Sequence, residues 1–110
     1  MKLIKLKQTK LPKRIRVKSH HFKTSQGYIS NTHCPIAMCV REIIGEDQHI
    51  SVSPGFICIG TKVYAYDRKQ WEGSWDELSE SEPIDDMIDR AKKGDHIETK
   101  VIDINEINYA

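Results

Sequence analysis

The beginning of the chain concentrates basic residues that could bind phosphate groups. The first 25 residues contain nine Lys or Arg and no acid, whereas the other 85 contain eight basic and sixteen acidic residues. Cationic side chains on one strand face neutralise a polyanion without reading its sequence. The predicted phosphate- or nucleic-acid-binding residues are Lys13, Arg14, Arg16, Lys18, His20, Lys23, Tyr28 and Thr32.

Tyr28 and Thr32 have roles of their own in this set. Tyr28, together with Phe22, is close enough in sequence to stack on a nucleobase. Free N–H groups at Thr32, His33 and Cys34, where a helix is predicted to begin, could hold the phosphate of a nucleotide. The alternatives for the whole basic segment are a solvated edge strand, whose Lys and Arg prevent pairing with other chains, or a strand face that pairs with the protein's own acidic body.

An acidic segment follows later in the chain. Eight acids and no Lys or Arg occur from position 70 to position 89, and two Trp lie among them. Trp often anchors interfaces, and charge complementarity speeds encounter. The candidate interface with a host nucleic-acid enzyme comprises Trp71, Trp75, Asp76 and Glu77. The alternative, which charge runs generally favour, is a solvated surface beside two Trp that complete the core.

Histidines and cysteines are also concentrated, in the types that zinc binds. His20, His21, His33, Cys34 and Cys39 fall within twenty residues. The two cysteines are five residues apart on a predicted helix and so point about 140° apart. The sequence has no C-x-x-C and no pair of His at i and i+4. We therefore predict no bound metal and no cofactor, and we expect Cys39 and Cys58 to be small core residues.

No motif for catalysis is apparent. Cys34 is near a predicted helix N-terminus, which lowers a thiol pKa, and His33 is adjacent. Sequence neighbours on a helix rarely face each other, however, and no third orienting residue can be named. The sequence lacks a P-loop, G-x-G-x-x-G and G-x-S-x-G. We predict a protein that is not an enzyme.

Hydrophobic periodicity predicts the elements that would position these residues. Period-two alternation predicts strands over residues 2–7 and 14–18, and the polar stretch 19–31 predicts a loop. A helix is expected from an Asn31 or Thr32 cap, through Pro35 in its first turn, to Gly45. Turn signals at Pro54-Gly55 and Gly60-Thr61 then separate three strands at residues 49–53, 56–59 and 62–66.

The second half of the chain completes an α+β pattern. Residues 67–82 are expected to be irregular, residues 83–93 helical and residues 96–104 a strand. The order ββαβββαβ predicts a small single domain over residues 1–110, with two helices and a mostly antiparallel sheet. Within it, a basic strand arm (1–25) precedes an acidic body (26–110).

Composition bounds the class of protein. The 110 residues are 38% hydrophobic and 30% charged, which is typical of one soluble domain. No apolar run approaches the roughly 20 residues that span a bilayer. The start alternates charged and apolar residues, unlike a signal peptide, and three cysteines suggest reduced thiols. We expect a cytoplasmic protein that contacts no membrane and forms a homodimer through its opposite charges and strand edges.

From Cys34 onward the chain resembles small phage-encoded accessory proteins of unknown function. The resemblance lies in Cys34-Pro35-Ile36-Ala37 at a helix start, then short strands in 50–66, a helix ending at Gly94 and a terminal strand at 97–104. It implies a phage or prophage origin and a helper role, including the blocking of host defence. It transfers no functional residues.

The sequence therefore predicts a non-enzymatic accessory protein whose basic arm contacts phosphates of nucleic acid or a nucleotide. Two alternatives remain open at this point. One is an inhibitor that binds a host protein through the acidic, Trp-containing segment. The other is a nucleotide-sequestering protein built around the helix start at Thr32.

Overall fold

A computed structural model describes residues 10–45, 48–72 and 83–107. The strand expected over residues 2–7 lies outside these ranges. The strands are β1 (Arg14–Val17), β2 (Ile50–Ser53), β3 (Phe56–Ile59), β4 (Lys62–Tyr66) and β5 (Lys100–Ile107). The helices are α1 (Ser19–Thr24), α2 (Pro35–Ile44), α3 (Arg68–Glu72) and α4 (Ile84–Lys92).

The five strands form one antiparallel sheet in the order β1-β5-β4-β3-β2. The first half of β5 pairs with β1, and its second half pairs with β4. The prediction of an α+β fold with a mostly antiparallel sheet is confirmed. None of the helices in the described ranges is long and apolar enough to cross a membrane.

The meander β2–β3–β4 follows the turn signals in the sequence. Gly55 (φ 83°) and Gly60 (φ 58°) occupy the left-handed region at the two turns, where a side chain would be strained. Inward residues of these strands are buried, among them Val52, Ile57 and Tyr64. The predicted strands match the observed ones to within one residue.

Helix α2 closes the inner side of the sheet. Cys34 caps it, with its Sγ accepting the N–H of Ala37 at 3.5 Å, and Gly45 (φ 100°) ends it. The helix buries the apolar face that its spacing predicts, and it contacts both β1 and β2. Because these strands are the two edges of the sheet, the sheet must curl around α2.

Helix α1 corrects the loop that we expected over residues 19–31. Its backbone is stabilised at the start by Lys18, whose carbonyl accepts the N–H of His21 at 2.9 Å. Phe22 is fully buried and holds the helix against the core. The burial of Phe22 depends on the rest of the fold, so local composition alone predicted a loop.

The last strand begins later in the sequence than expected. Helix α4 matches its prediction within one residue at each end, but β5 begins at Lys100 rather than at His96. Ile97, expected in that strand, is buried ahead of it, and its N–H donates to the Ser19 hydroxyl at 3.0 Å. The Ser19 hydroxyl thus accepts the N–H that a neighbouring strand would otherwise bind.

Trp71 belongs to the core. Only 2% of it is exposed, and its ring stacks on Phe22 with the centroids 5.7 Å apart. Lys100 donates to the Trp71 carbonyl at 2.8 Å and lies 5.7 Å from the ring centroid. The expectation that Trp71 anchors a partner is therefore wrong, and the core alternative holds. Trp75, Asp76 and Glu77 lie outside the described residues.

Trp71→Ala should lower the free energy of unfolding by about 3–5 kcal/mol, because it leaves a cavity against Phe22. Urea denaturation followed by far-UV circular dichroism measures this. Phe56→Ala is the matched control, since Phe56 is 45% exposed and should lose at most about 1 kcal/mol. Equal losses in the two variants would contradict the core assignment of Trp71.

Candidate functional site

The sheet has one face in the core and one that stays accessible. Strand alternation directs Ile15, Val17, Ile102 and Ile104 into the core. We call the opposite side the outer sheet face. It consists of Arg14, Arg16, Ser51, Ser53, Phe56, Cys58, Val63, Ala65, Val101, Asp103, Asn105 and Ile107, all exposed or half-buried.

The two arginines of β1 differ in their surroundings. Arg14 Nε donates to Asp103 Oδ1 at 2.9 Å, and Gln70 donates to the other carboxylate oxygen at 2.8 Å. The hydrogen bond from Gln70, followed by that from Arg14, holds the pKa of Asp103 below its usual range. The guanidinium of Arg14 is therefore already paired with the carboxylate of Asp103.

Arg16 is exposed opposite Val101 on the same face. Its guanidinium makes no hydrogen bond or ion pair with any residue in the described ranges. Lys13 and Lys18, which flank the strand, are exposed as well, and their ammonium groups likewise lack an acidic partner in that part of the chain. These three side chains form a positive edge that remains available to an anion.

An apolar area lies beside this positive edge. Phe56 is 45% exposed, and Val101, opposite Arg16, is 40% exposed. In the ladder Phe56 lies opposite Ala65, which lies opposite Asn105. Three strand spacings and four residues of rise then place Phe56 roughly 20 Å from the Arg16 position. The sequence did not single out Phe56, because its exposure depends on which sheet face the helices cover.

The remaining basic residues of the predicted site diverge from β1. His20 and Lys23 are exposed on α1, beyond the turn of the chain at Lys18. Helix α1 packs against α2 and α4, whereas Arg14 and Arg16 face away from the core. The structure thus groups Lys13, Arg14, Arg16 and Lys18 along one strand and separates His20 and Lys23 from them.

Tyr28 is engaged inside the protein. Its hydroxyl donates to the carboxylate of Glu72, which also accepts from Arg68 at 3.0 Å. Burial, with Glu72 adding to it, raises the pKa of Tyr28. Phe22, the second aromatic that we considered for base stacking, is fully buried. Neither ring lies on the outer sheet face.

The anion site expected at the start of α2 is occupied by internal hydrogen bonds. The N–H of His33 donates to the Ser30 hydroxyl, and that of Cys34 donates to the Ser30 carbonyl, both at 3.1 Å. Thr32 is exposed, and its hydroxyl is 2.8 Å from His33 Nδ1. Two of the three N–H groups that we assigned to a phosphate therefore have partners.

A second cluster joins α1 to α2. The Nε2 atoms of His20 and His21 lie 2.5 Å and 2.9 Å from Glu42 Oε2. The histidine pair was considered as ligands from the sequence, but Glu42 was not, since only folding brings it near. The hydrogen bond from His20 is the main cause that lowers the pKa of Glu42.

His21 does not present a lone pair to a metal here, although these three residues offer ligand atoms within 4.8 Å of one another. The backbone N–H of Lys18 donates to His21 Nδ1 at 2.8 Å. A neutral imidazole carries one proton, so that proton must be on Nε2, where it donates to Glu42. A metal at Nε2 would need the lone pair of that same atom. The cluster suits hydrogen bonding better than coordination.

The cysteines offer no activated nucleophile at the positions considered. Cys34 and Cys39 are both buried. Burial raises the pKa of Cys34, contrary to the lowering expected from the helix start, and it raises the pKa of Cys39 to about 12. The Cys39 thiol donates to the Arg16 carbonyl at 3.3 Å. Cys39 is the small core residue that we predicted, while Cys58 is half-buried on the outer sheet face.

Cys39 should resist alkylation in the folded protein. A thiol with a pKa of about 12 has very little thiolate at pH 8, and burial also blocks access. Mass spectrometry after brief iodoacetamide treatment should show Cys58 labelled ahead of Cys39, and all three thiols labelled in urea. Labelling of Cys39 as fast in the folded as in the denatured protein would contradict its buried, protonated state.

Comparison with known protein families, curated proteins and solved structures finds no match to this chain. Function is therefore inferred from the outer sheet face and from the contact between α1 and α2.

Proposed function

We propose that this protein binds the phosphate backbone of nucleic acid along β1 and the adjoining outer sheet face, without catalysing a reaction. The observation that carries this proposal is the guanidinium of Arg16, which is exposed and lacks an acidic partner among the described residues. Lys13 and Lys18 extend the positive charge at both ends of the strand. Arg14 is held by Asp103 and contributes less.

Phe56 suggests that the nucleic acid is single-stranded. An exposed aromatic ring on an open sheet face can stack on an unpaired base, whereas the bases of a duplex are already stacked on each other. The apolar surroundings of Phe56, which include Val63 and Ala65, would also receive a base. Phosphates would then run diagonally across β4 and β5 from Phe56 toward Arg16.

The competing functions have less support. An inhibitor that uses the acidic segment as its interface loses Trp71, which is buried. A nucleotide-sequestering protein loses two N–H donors at the start of α2, and the Tyr28 that would stack on the base is bonded through its hydroxyl to Glu72. The binding of an extended polyanion needs neither of these regions, and the residues proposed for it, Lys13, Arg16 and Lys18, are exposed.

Several broader expectations accompany this proposal as predictions. They are an accessory role of the phage-encoded kind, a cytoplasmic location and self-association into a homodimer. The edge positions of β1 and β2 in the sheet favour self-association, since an edge strand retains backbone groups that can pair with a second copy.

Removing two charges from the positive edge should weaken binding and flatten its salt dependence. The double variant Arg16→Gln, Lys18→Gln removes two phosphate contacts. Each contact to a single strand contributes about 0.7 to the slope of log K against log salt, so the slope should fall by about 1.4. Fluorescence anisotropy with a labelled single-stranded oligonucleotide, titrated at several NaCl concentrations, measures this.

The matched control is Lys69→Gln, Lys93→Gln, which removes the same charge from exposed positions on α3 and beyond α4. Its slope should remain close to that of the unaltered protein. An equal loss in both variants would mean that only net charge matters. The absence of binding at low salt in the unaltered protein would refute the function itself.

Phe56→Ala should separate single-stranded from duplex binding. Loss of one base stack weakens binding by about 1–3 kcal/mol, or about 5- to 150-fold. The same anisotropy experiment with a duplex of equal length should show little change, because the phosphate contacts remain. If both affinities fall equally, or neither falls, Phe56 does not stack on a base.

A further inference from the structure

His21 is a buried ionisable residue at the junction of three elements. Only 3% of it is exposed, and it lies where β1 ends, α1 begins and α2 packs against both. Protonation of a buried imidazole usually destabilises the folded protein, since the charged form of the ring is poorly solvated there. What happens here depends on the partners of its two ring nitrogens.

The first partner is the backbone of Lys18. The N–H of His21 donates to the Lys18 carbonyl at 2.9 Å, and Nδ1 of the ring accepts the Lys18 N–H at 2.8 Å. This reciprocal pair resembles a capping box, with an imidazole where Glu or Gln usually stands. It fixes the start of α1 to the end of β1.

The second partner is Glu42 on α2. The Nε2–H group of His21 donates to Glu42 Oε2 at 2.9 Å, while His20 approaches the same oxygen. One ring nitrogen must therefore accept and the other must donate. Only the neutral Nε2–H form of imidazole satisfies both partners.

We propose that His21 is a pH-sensitive latch, which fastens the start of α1 to the end of β1 while its ring is neutral and loosens that attachment when the ring is protonated. The added proton goes to Nδ1, where it faces the Lys18 N–H. The Lys18 N–H and the new Nδ1–H are then two donors at hydrogen-bond distance, so the bond between Lys18 N–H and His21 Nδ1 must break. Acidification thereby weakens the attachment of α1 without any change in sequence or ligand.

The charges around His21 act in opposite directions. Burial is the largest influence and lowers the pKa of His21; His20 and Lys18 lower it further, whereas Glu42 raises it. Cys39, on the same side of α2, is uncharged because its thiol is protonated. From α4, Lys92 donates to the carbonyls of Lys23 and Ser25, at the other end of α1.

The sign of the pH effect follows from these directions. The pKa of His21 is below 6.5 in the folded protein and returns to about 6.5 when α1 opens, so the open form binds the proton more tightly. The stability that the neutral ring contributes is complete above pH 6.5 and is lost as pH falls through the lowered pKa. The pKa of Glu42 lies below 4.5, so that carboxylate acts only at lower pH.

Opening of α1 changes the surface of the protein. Phe22, now fully buried and stacked on Trp71, is carried by the helix that the latch holds. The acid form would therefore expose an apolar ring that the neutral form covers. A protein with this device would expose Phe22 more often as the pH falls below 6.5.

The test uses the unaltered protein first. Long-range ¹H–¹⁵N spectra of the imidazole rings should show His21 as the neutral Nε2–H tautomer at pH 7. Amide hydrogen exchange, corrected for its intrinsic rate, should show the opening constant of α1 rising between pH 6.5 and 5, by at most about tenfold per pH unit. A ring with its proton on Nδ1 at pH 7, or an opening constant independent of pH, overturns the proposal.

Two variants then assign the effect. His21→Asn keeps an acceptor for the Lys18 N–H and cannot be protonated, so its α1 opening should no longer respond to pH in this range. His20→Asn is the control, because it removes the exposed neighbouring imidazole and should leave the response in place. A response that persists in His21→Asn, or that disappears in His20→Asn, places the titrating group elsewhere and overturns the latch.

Discussion

Strand β5 pairs with two different strands, β1 and β4, and this double pairing holds the sheet together. The first half of β5 holds β1 and its second half holds β4, so one strand joins the basic segment to the meander. The N–H of Ile104 extends the first ladder to the Lys13 carbonyl at 2.8 Å. Because β1 comes early in the chain and β5 late, the positive edge exists only when the whole domain has folded.

The curl of this sheet explains why its two faces differ so strongly. With α2 against both edge strands, the inner face is closed into a core that contains Ile15, Val40 and Ile57. The outer sheet face has too few large apolar residues to form a second core, yet Phe56 and Val101 remain partly exposed on it. Exposed apolar side chains on the same face as positive charge that lacks an acidic partner among the described residues suit a ligand that has both bases and phosphates.

Much of the fold could be predicted from the sequence, because period-two strands, Gly turns and the helix face of α2 are local patterns. Helix α1 could not, since its stability comes from Glu42 and Trp71, which are distant in sequence. The candidate site was predicted only along β1. His20 and Lys23 were expected in a loop after the strand, whereas they lie on α1, which separates them from β1. Phe56 required knowledge of which face stays open.

The two proposals meet at Lys18, and together they imply a result that charge alone would not. Protonation of histidines normally strengthens polyanion binding, since it adds positive charge. Here the backbone N–H of Lys18 donates to His21 Nδ1, while the Lys18 side chain extends the positive edge beyond Arg16. Opening of α1 frees the end of β1, so the contacts at Lys18 lose their fixed position. Any gain in charge below pH 6.5 is then opposed by the loss of preorganisation at the strand that would hold the phosphates.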